Sequence, residues 1–333
     1  MPDLDLTLDR ARLDALRHGA VVVETTPAVF RVTGSGALTC LQGLLTSDLL
    51  APGDGALLYG AMLTPKGAIV TDAWVFRRGD VVTLLLPCEG RAAALEIFGR
   101  TLPPRIARWA DLTGQVRVAW LLGDRGFQVL AKSGIGAPEG AGRIHEVGSG
   151  EDAVTIALAP ETAPFAACLA GPVAALEPLV QQLVSAGARP GDEGDHHAAR
   201  ILAGWPALGA EIDERTLPQE VRFDEIGGVS YTKGCYTGQE TVARLHFRGH
   251  TNRELRGLWW RADEPELADG NGSRLVLSGE REVGSVRSRL SVDGRAIGLA
   301  VIRREVDPGA EVIAGGRRAT VVALPFRGDE LDG

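Results

Sequence analysis

Lysine is nearly missing from this chain. Of its 35 basic residues only Lys66, Lys132 and Lys233 are lysines. Aromatic residues make up 5% of the 333 positions, and cysteine occurs only as Cys40, Cys88, Cys168 and Cys235. Those four are far apart, with no CxxC pair and no histidine ladder. That spacing argues against a zinc or iron–sulfur site built by this chain alone, and against a disulfide framework. No apolar run approaches the ~18–20 residues that span a bilayer, so an integral membrane protein is not expected. The first thirty residues lack the basic region, apolar core and small-residue cleavage site of a signal peptide, and the expectation is a cytoplasmic protein. A net charge of −8 argues against a non-specific nucleic-acid binder, whose affinity comes from neutralising phosphates. No full dinucleotide or P-loop fingerprint is present.

What is there is an apolar content of 45%, enough for a buried core, over a length that suggests two domains. In the N-terminal part, 21–32 reads as a strand and 35–45 as a helix with Ser35 as N-cap. Two apolar runs, 57–63 and 68–76, flank the turn Thr64-Pro65-Lys66-Gly67 and predict a hairpin. The run 81–86 follows as a strand and 89–100 as a helix. Between 115 and 160, VRVAWLL, FQVLA and AVTIALA read as three short strands. The stretches 172–186 and 193–203 read as helices. From about residue 253 short strand-like runs recur every ~8–12 residues with Gly or Asp-Gly turns, the pattern of a small antiparallel barrel. The fold class expected is α+β, with a first domain over 1–252, an antiparallel β-barrel over 253–328 and a tail over 329–333.

The densest chemistry lies in Lys233-Gly234-Cys235-Tyr236-Thr237-Gly238-Gln239-Glu240. Two glycines bracketing a cysteine allow positive φ or close approach to a ligand. A neighbouring lysine favours the thiolate, so Cys235 is the candidate nucleophile and Lys233 its activator. The competing reading is a small buried cysteine in a shaped turn. Arg244 and Arg248 follow at a spacing of four and would share one helix face. His196-His197 reads as an exposed pair whose rings point different ways, and Trp259-Trp260 as strand residues facing opposite sides.

The string KGCYTGQE, followed by VAR and FRG, resembles the signature of the YgfZ family of folate-binding proteins. That family shares its fold with the T-protein (aminomethyltransferase) of the glycine cleavage system. Leu41-Gln42-Gly43 with Thr46-Ser47-Asp48, Lys66-Gly67-Ala68-Ile69 and the stretch 200–220 support the resemblance. It implies a folate-binding domain with a central channel, followed by a β-barrel. It also implies tetrahydrofolate as ligand, with Tyr59, Asp72, Tyr236 and Gln239 around the pterin and Arg244 and Arg248 for the anionic tail. The pair of aspartates that ends the T-protein's glycine hairpin is Thr71-Asp72 here, which leaves Asp72 either at the catalytic position or as a solvated residue at a strand end. Where the folate enzymes carry a pterin-gripping glutamate this chain has Leu202, so weak folate binding is expected. The function implied is a tetrahydrofolate-binding accessory protein for iron–sulfur cluster assembly or repair. Its partners would be client enzymes, including tRNA-modifying ones, or cluster-assembly proteins, with no direct contact with nucleic acid or membrane. The alternatives are a tetrahydrofolate-dependent aminomethyl or one-carbon transferase, and a folate-binding module without chemistry.

Overall fold

The computed structural model describes residues 5–262, 274–326 and 329–332. Three sheets organise the described residues. A five-stranded antiparallel sheet runs in the order Ala56–Leu63, Ile69–Arg78, Val81–Leu86, Ala28–Thr33, Arg108–Asp111. A six-stranded sheet runs Arg189–Pro190, Val21–Thr25, Val116–Leu122, Ala167–Pro172, Val154–Leu158, Ile144–Val147. Their inner faces bury one shared core that includes Tyr59, Trp74 and Phe76 from the first sheet and Val21, Val23 and Trp120 from the second. Period-two alternation sends the neighbouring residues outward. Phe30, Val75 and Leu84 pack with Leu41 and Phe98 of the helices Ala37–Gln42 and Arg91–Thr101. Behind the other sheet lie the helices Gly126–Ser133 and Val173–Ser185, around Leu130, Leu176 and Leu183.

The C-terminal part closes into a six-stranded antiparallel barrel. Arg281–Val292, Leu275–Ser278, Glu311–Ala314, Arg317–Val322, Arg253–Trp260 and Arg295–Arg303 pair in turn, and the last returns to the first. Closure removes the unpaired edges an open sheet would present. Strand Arg295–Arg303 is buried on both sides. Ala296, Ala300 and Ile302 fill the barrel, while Ile297, Leu299 and Val301 join the intersheet core. Trp260 points inward, donating from Nε1 to Ala314 O at 3.0 Å, and Trp259 is half-buried against the other core. The strand Asp5–Thr7 adds to the barrel sheet in parallel beside Arg289–Ser291, so the N-terminal segment reaches across the division expected at 252. Residue 328, the expected end of the barrel, lies outside the described residues, as does Gly333.

Four local expectations are corrected. The single strand expected over 21–32 is two, in different sheets, because Pro27 has no N–H to give a ladder. FQVLA is helical within Gly126–Ser133: Val129 and Leu130 bury on one side, and Gly134 at φ 77° ends the helix. Short apolar runs of this kind do not separate helix from strand by pattern alone. The helix expected from Ser35 begins at Ala37 behind Gly36, which makes no side-chain cap; a Cβ on Gly36 would meet the Ile106 side chain at 2.8 Å. Finally, His196 and His197 are half-buried rather than exposed. The His196 ring packs on Trp120 with centroids 5.4 Å apart, and burial pulls its imidazole down to about 3. No helix among the described residues is long and apolar enough to cross a membrane.

Candidate functional site

The glycine-bracketed segment folds against the first domain's early loop. Ser230 N–H donates to Thr46 O at 2.9 Å, Thr237 N–H to Gly43 O at 3.0 Å, and Thr46 Oγ1 to Gly228 O at 2.5 Å. Lys233 is the pin of this junction. Its ammonium donates to Gln42 O (2.7 Å), Leu45 O (2.8 Å) and Ser47 O (2.7 Å), which uses all three of its donors. Burial pulls its pKa down to about 8 against the opposing charge of Asp48. The carbonyls it satisfies lie at and just beyond the end of helix Ala37–Gln42, where orphan acceptors collect. The expected role of Lys233 is therefore corrected: its charge is committed to three carbonyls and not to the thiol of Cys235.

Cys235 itself is exposed. Three residues later Gly238, at φ 81°, leads into the helix Gln239–Arg248. A Cβ there would fall 2.5 Å from Thr64 O and 3.1 Å from the Cα of Gly67, while Gly67, at φ 90°, faces Thr241. The two glycine turns singled out in the sequence thus meet backbone to backbone, a contact that admits no side chain.

A second group of predicted residues is buried. Tyr59 and Asp72 sit on adjacent strands, with Ala61 opposite Asp72 and Trp74 opposite Tyr59. The Tyr59 hydroxyl donates to Asp72 Oδ2 at 2.9 Å, and the other carboxylate oxygen, Oδ1, has no partner. The two residues are 4% and 7% exposed. Burial raises the Asp72 carboxyl to about 6, partly offset by the Tyr59 hydrogen bond. Tyr59 is driven well above its usual range by burial and by Asp72, which keeps it a donor. Its ring lies 4.8 Å from Trp205, 4.9 Å from Trp74 and 5.3 Å from Phe223, centroid to centroid. Tyr236 belongs to the same core, and its buried hydroxyl is also without a partner. Leu202 packs at the rim of this core, and Thr71 turns its hydroxyl to the backbone oxygen of Asp72 instead of doubling the carboxylate.

The predicted residues therefore separate into two sets. Tyr59, Asp72 and Tyr236 line a buried aromatic core, and Gln239 is half-buried at the helix start. Cys235, Arg244 and Arg248 face solvent. An open cleft of about 940 Å³ lies between the two sheets at the far end of strand Ile69–Arg78, lined in part by Arg31, Phe76, Arg78 and Glu146, and touches none of them. Among the described residues, no group of His, Cys, Asp or Glu could hold a metal ion.

The sequence reading did not identify the aromatic wall. Trp74 could have been found, since it lies two residues from Asp72 on one strand and so shares its face. Trp205 and Phe223 come from loops and carry no such signal. Also missed was a buried network that ties helix Glu193–Leu202 to the barrel. Arg200 donates to Glu211 Oε2 (2.8 Å), Trp205 O (3.0 Å) and Ser288 Oγ (2.9 Å), and the Ser288 hydroxyl donates to Glu211. Every charge there is paired, which lets it be buried without the cost of an orphan.

No protein-family model matches the chain. It is 28% identical over 313 residues to an aminomethyltransferase of Rubrobacter xylanophilus, covering 88% of this chain and 79% of that one. It is 28% identical over 297 residues to the tRNA-modifying protein YgfZ of an Enterobacter species, covering 84% of each. Against YgfZ of Escherichia coli the identity is 34% over 122 residues, about a third of each chain. In structure it is similar to aminomethyltransferase T of the glycine cleavage system from Bartonella henselae. The TM-score is 0.75, with 18% identity, over 95% of this chain and 88% of that one. That structural likeness carries the fold and no more. The chain is thus similar in sequence to YgfZ proteins and to aminomethyltransferases, and it shares the aminomethyltransferase fold.

Proposed function

We propose that this chain binds tetrahydrofolate weakly and supports assembly or repair of iron–sulfur clusters in client enzymes, tRNA-modifying ones among them. The observation that carries the folate reading is the Tyr59–Asp72 pair with its orphaned carboxylate oxygen. A buried acceptor without a donor is costly unless a ligand or water completes it. The N–H edge of a pterin is such a donor, and Trp74, Trp205 and Phe223, packed around the Tyr59 ring, make the pair's surroundings apolar. The partnerless hydroxyl of Tyr236 offers a second polar contact. The unpartnered polar atoms of Asp72 and Tyr236 suit the polar edge of that group. Leu202 offers no charged grip, which is why the affinity is weak. Bound tetrahydrofolate would supply nitrogen atoms able to accept a one-carbon unit.

Support for tRNA-modifying clients comes from the relatives named tRNA-modifying proteins, and Cys235, an exposed free thiol, is the residue that would meet a client's cluster. Replacing Cys235 with serine should remove the chain's support of iron–sulfur enzymes in cells. The unfolding free energy should change by less than about 0.5 kcal/mol, as expected for a surface position. A serine variant that complements fully removes Cys235 from the account. Thermal unfolding tests the ligand: tetrahydrofolate at 100 times its dissociation constant should add ~2.7 kcal/mol of stability.

The second reading, aminomethyl transfer, is favoured by Asp72 alone. A buried carboxyl raised to about 6 can hold or release a proton near neutral pH, which general acid–base chemistry requires.

A further inference from the structure

Among the described residues, helix Gln239–Arg248 leaves one face open to solvent. Val242 is buried beneath it, and Gln219 Nε2 holds Val242 O at 2.9 Å. The His246 ring stacks on Tyr231 with centroids 3.6 Å apart and planes at 14°, and the Tyr231 hydroxyl donates to Asp224. These contacts fix the helix. On the opposite side Glu240, Arg244, Phe247 and Arg248, at helical positions i, i+4, i+7 and i+8, form an exposed stripe. Phe247 is 67% exposed, more than any other exposed large apolar side chain among the described residues. Neither Arg244 nor Arg248 has an ion-pair partner among the described residues. Arg248 and His246 at the helix C-terminus complement its dipole, and the Phe247 ring meets His246 (4.8 Å) and Tyr231 (6.1 Å) edge-on, yet most of the phenylalanine still faces water.

From this stripe we infer a docking surface for a protein partner that presents an acidic segment around an apolar pocket: Phe247 is the anchor, and Arg244 and Arg248 flank it. Aromatic and arginine side chains are the ones enriched at the centres of protein interfaces. RNA is the weaker occupant. Its affinity grows with the number of phosphates neutralised, and two arginines on a chain of net charge −8 neutralise few. The inference stands apart from the folate and iron–sulfur reading, because it rests on the stripe alone.

The test places the photocrosslinker benzoylphenylalanine at position 247 of the full chain in cells, with melting temperature as the folding control. The expected result is a discrete adduct to a different protein, joined through an acid-rich peptide. Its yield should fall at least tenfold when Arg244→Glu and Arg248→Glu are introduced together. Arg248→Glu alone serves as the milder variant should the pair disturb folding. An adduct to the chain's own copy, an RNase-sensitive adduct, no adduct, or a yield indifferent to charge reversal each overturns the inference.

Discussion

Lys233→Met is expected to destabilise the fold by about 3–5 kcal/mol, because three hydrogen bonds from a charged donor are lost and buried acceptors are left open. Methionine keeps much of the aliphatic stem but cannot donate. The carbonyls of Gln42, Leu45 and Ser47 would then be left without the hydrogen bonds they receive now. Each such bond to a charged donor is worth ~1.5–3 kcal/mol, set against relief from burying an ammonium. Urea unfolding of the two proteins measures the difference directly. The reading of Lys233 as the activator of Cys235 forecasts instead that the alkylation profile of Cys235 moves to higher pH. The geometry predicts the large loss of stability.

Asp72→Asn is expected to do the reverse to stability while removing function. An unfolded aspartate titrates near 3.9, and the folded one is raised to about 6. Between those values the native state holds a proton that the unfolded state has lost, so stability falls as pH rises through that window. Above about 6 both states are ionised and the full penalty for burying the charge is present. Two units correspond to roughly 3 kcal/mol. Asparagine keeps an acceptor for the Tyr59 hydroxyl and carries no charge. The variant should therefore be more stable by about 2–3 kcal/mol at pH 8, with no decline between pH 4 and 6. If Asp72 acts as an acid or base, the same change should lower turnover by about 10²–10⁴-fold. Stability gained while activity is lost is the mark of a group kept for function. A variant with unchanged stability at pH 8 would mean that Asp72 is less desolvated than its 7% exposure implies.

What the sequence disclosed followed from local pattern. The hairpin on either side of Lys66-Gly67 and the barrel strands after 253 carry alternation and turn residues within a few positions of each other, and these were legible. Pro27 was legible in principle, since it must break a ladder, yet the flanking β-branched residues concealed it. The helix at 126–133 was concealed for another reason: Val129 and Leu130 give too short a run to separate the two periods. In the site, local pattern found both glycine turns but not their contact, because nothing in either segment says that Gly67 and Gly238 touch. Lys233 was misread on the same ground. Proximity in sequence suggested Cys235, two residues away, whereas the fold delivered acceptors from a loop nearly two hundred residues earlier. The aromatic wall around Asp72 likewise depends on long-range packing, with Trp205 and Phe223 arriving from loops.

The most direct test of the central claim is a calorimetric titration of tetrahydrofolate into the wild-type chain, Asp72→Ala and Cys235→Ser. The account predicts one weak site in the wild type, at least tenfold weaker binding in Asp72→Ala, and no change in Cys235→Ser, whose exposed sulfur lies outside the buried core. Equal affinity in all three proteins, or no heat of binding at millimolar tetrahydrofolate, would contradict it.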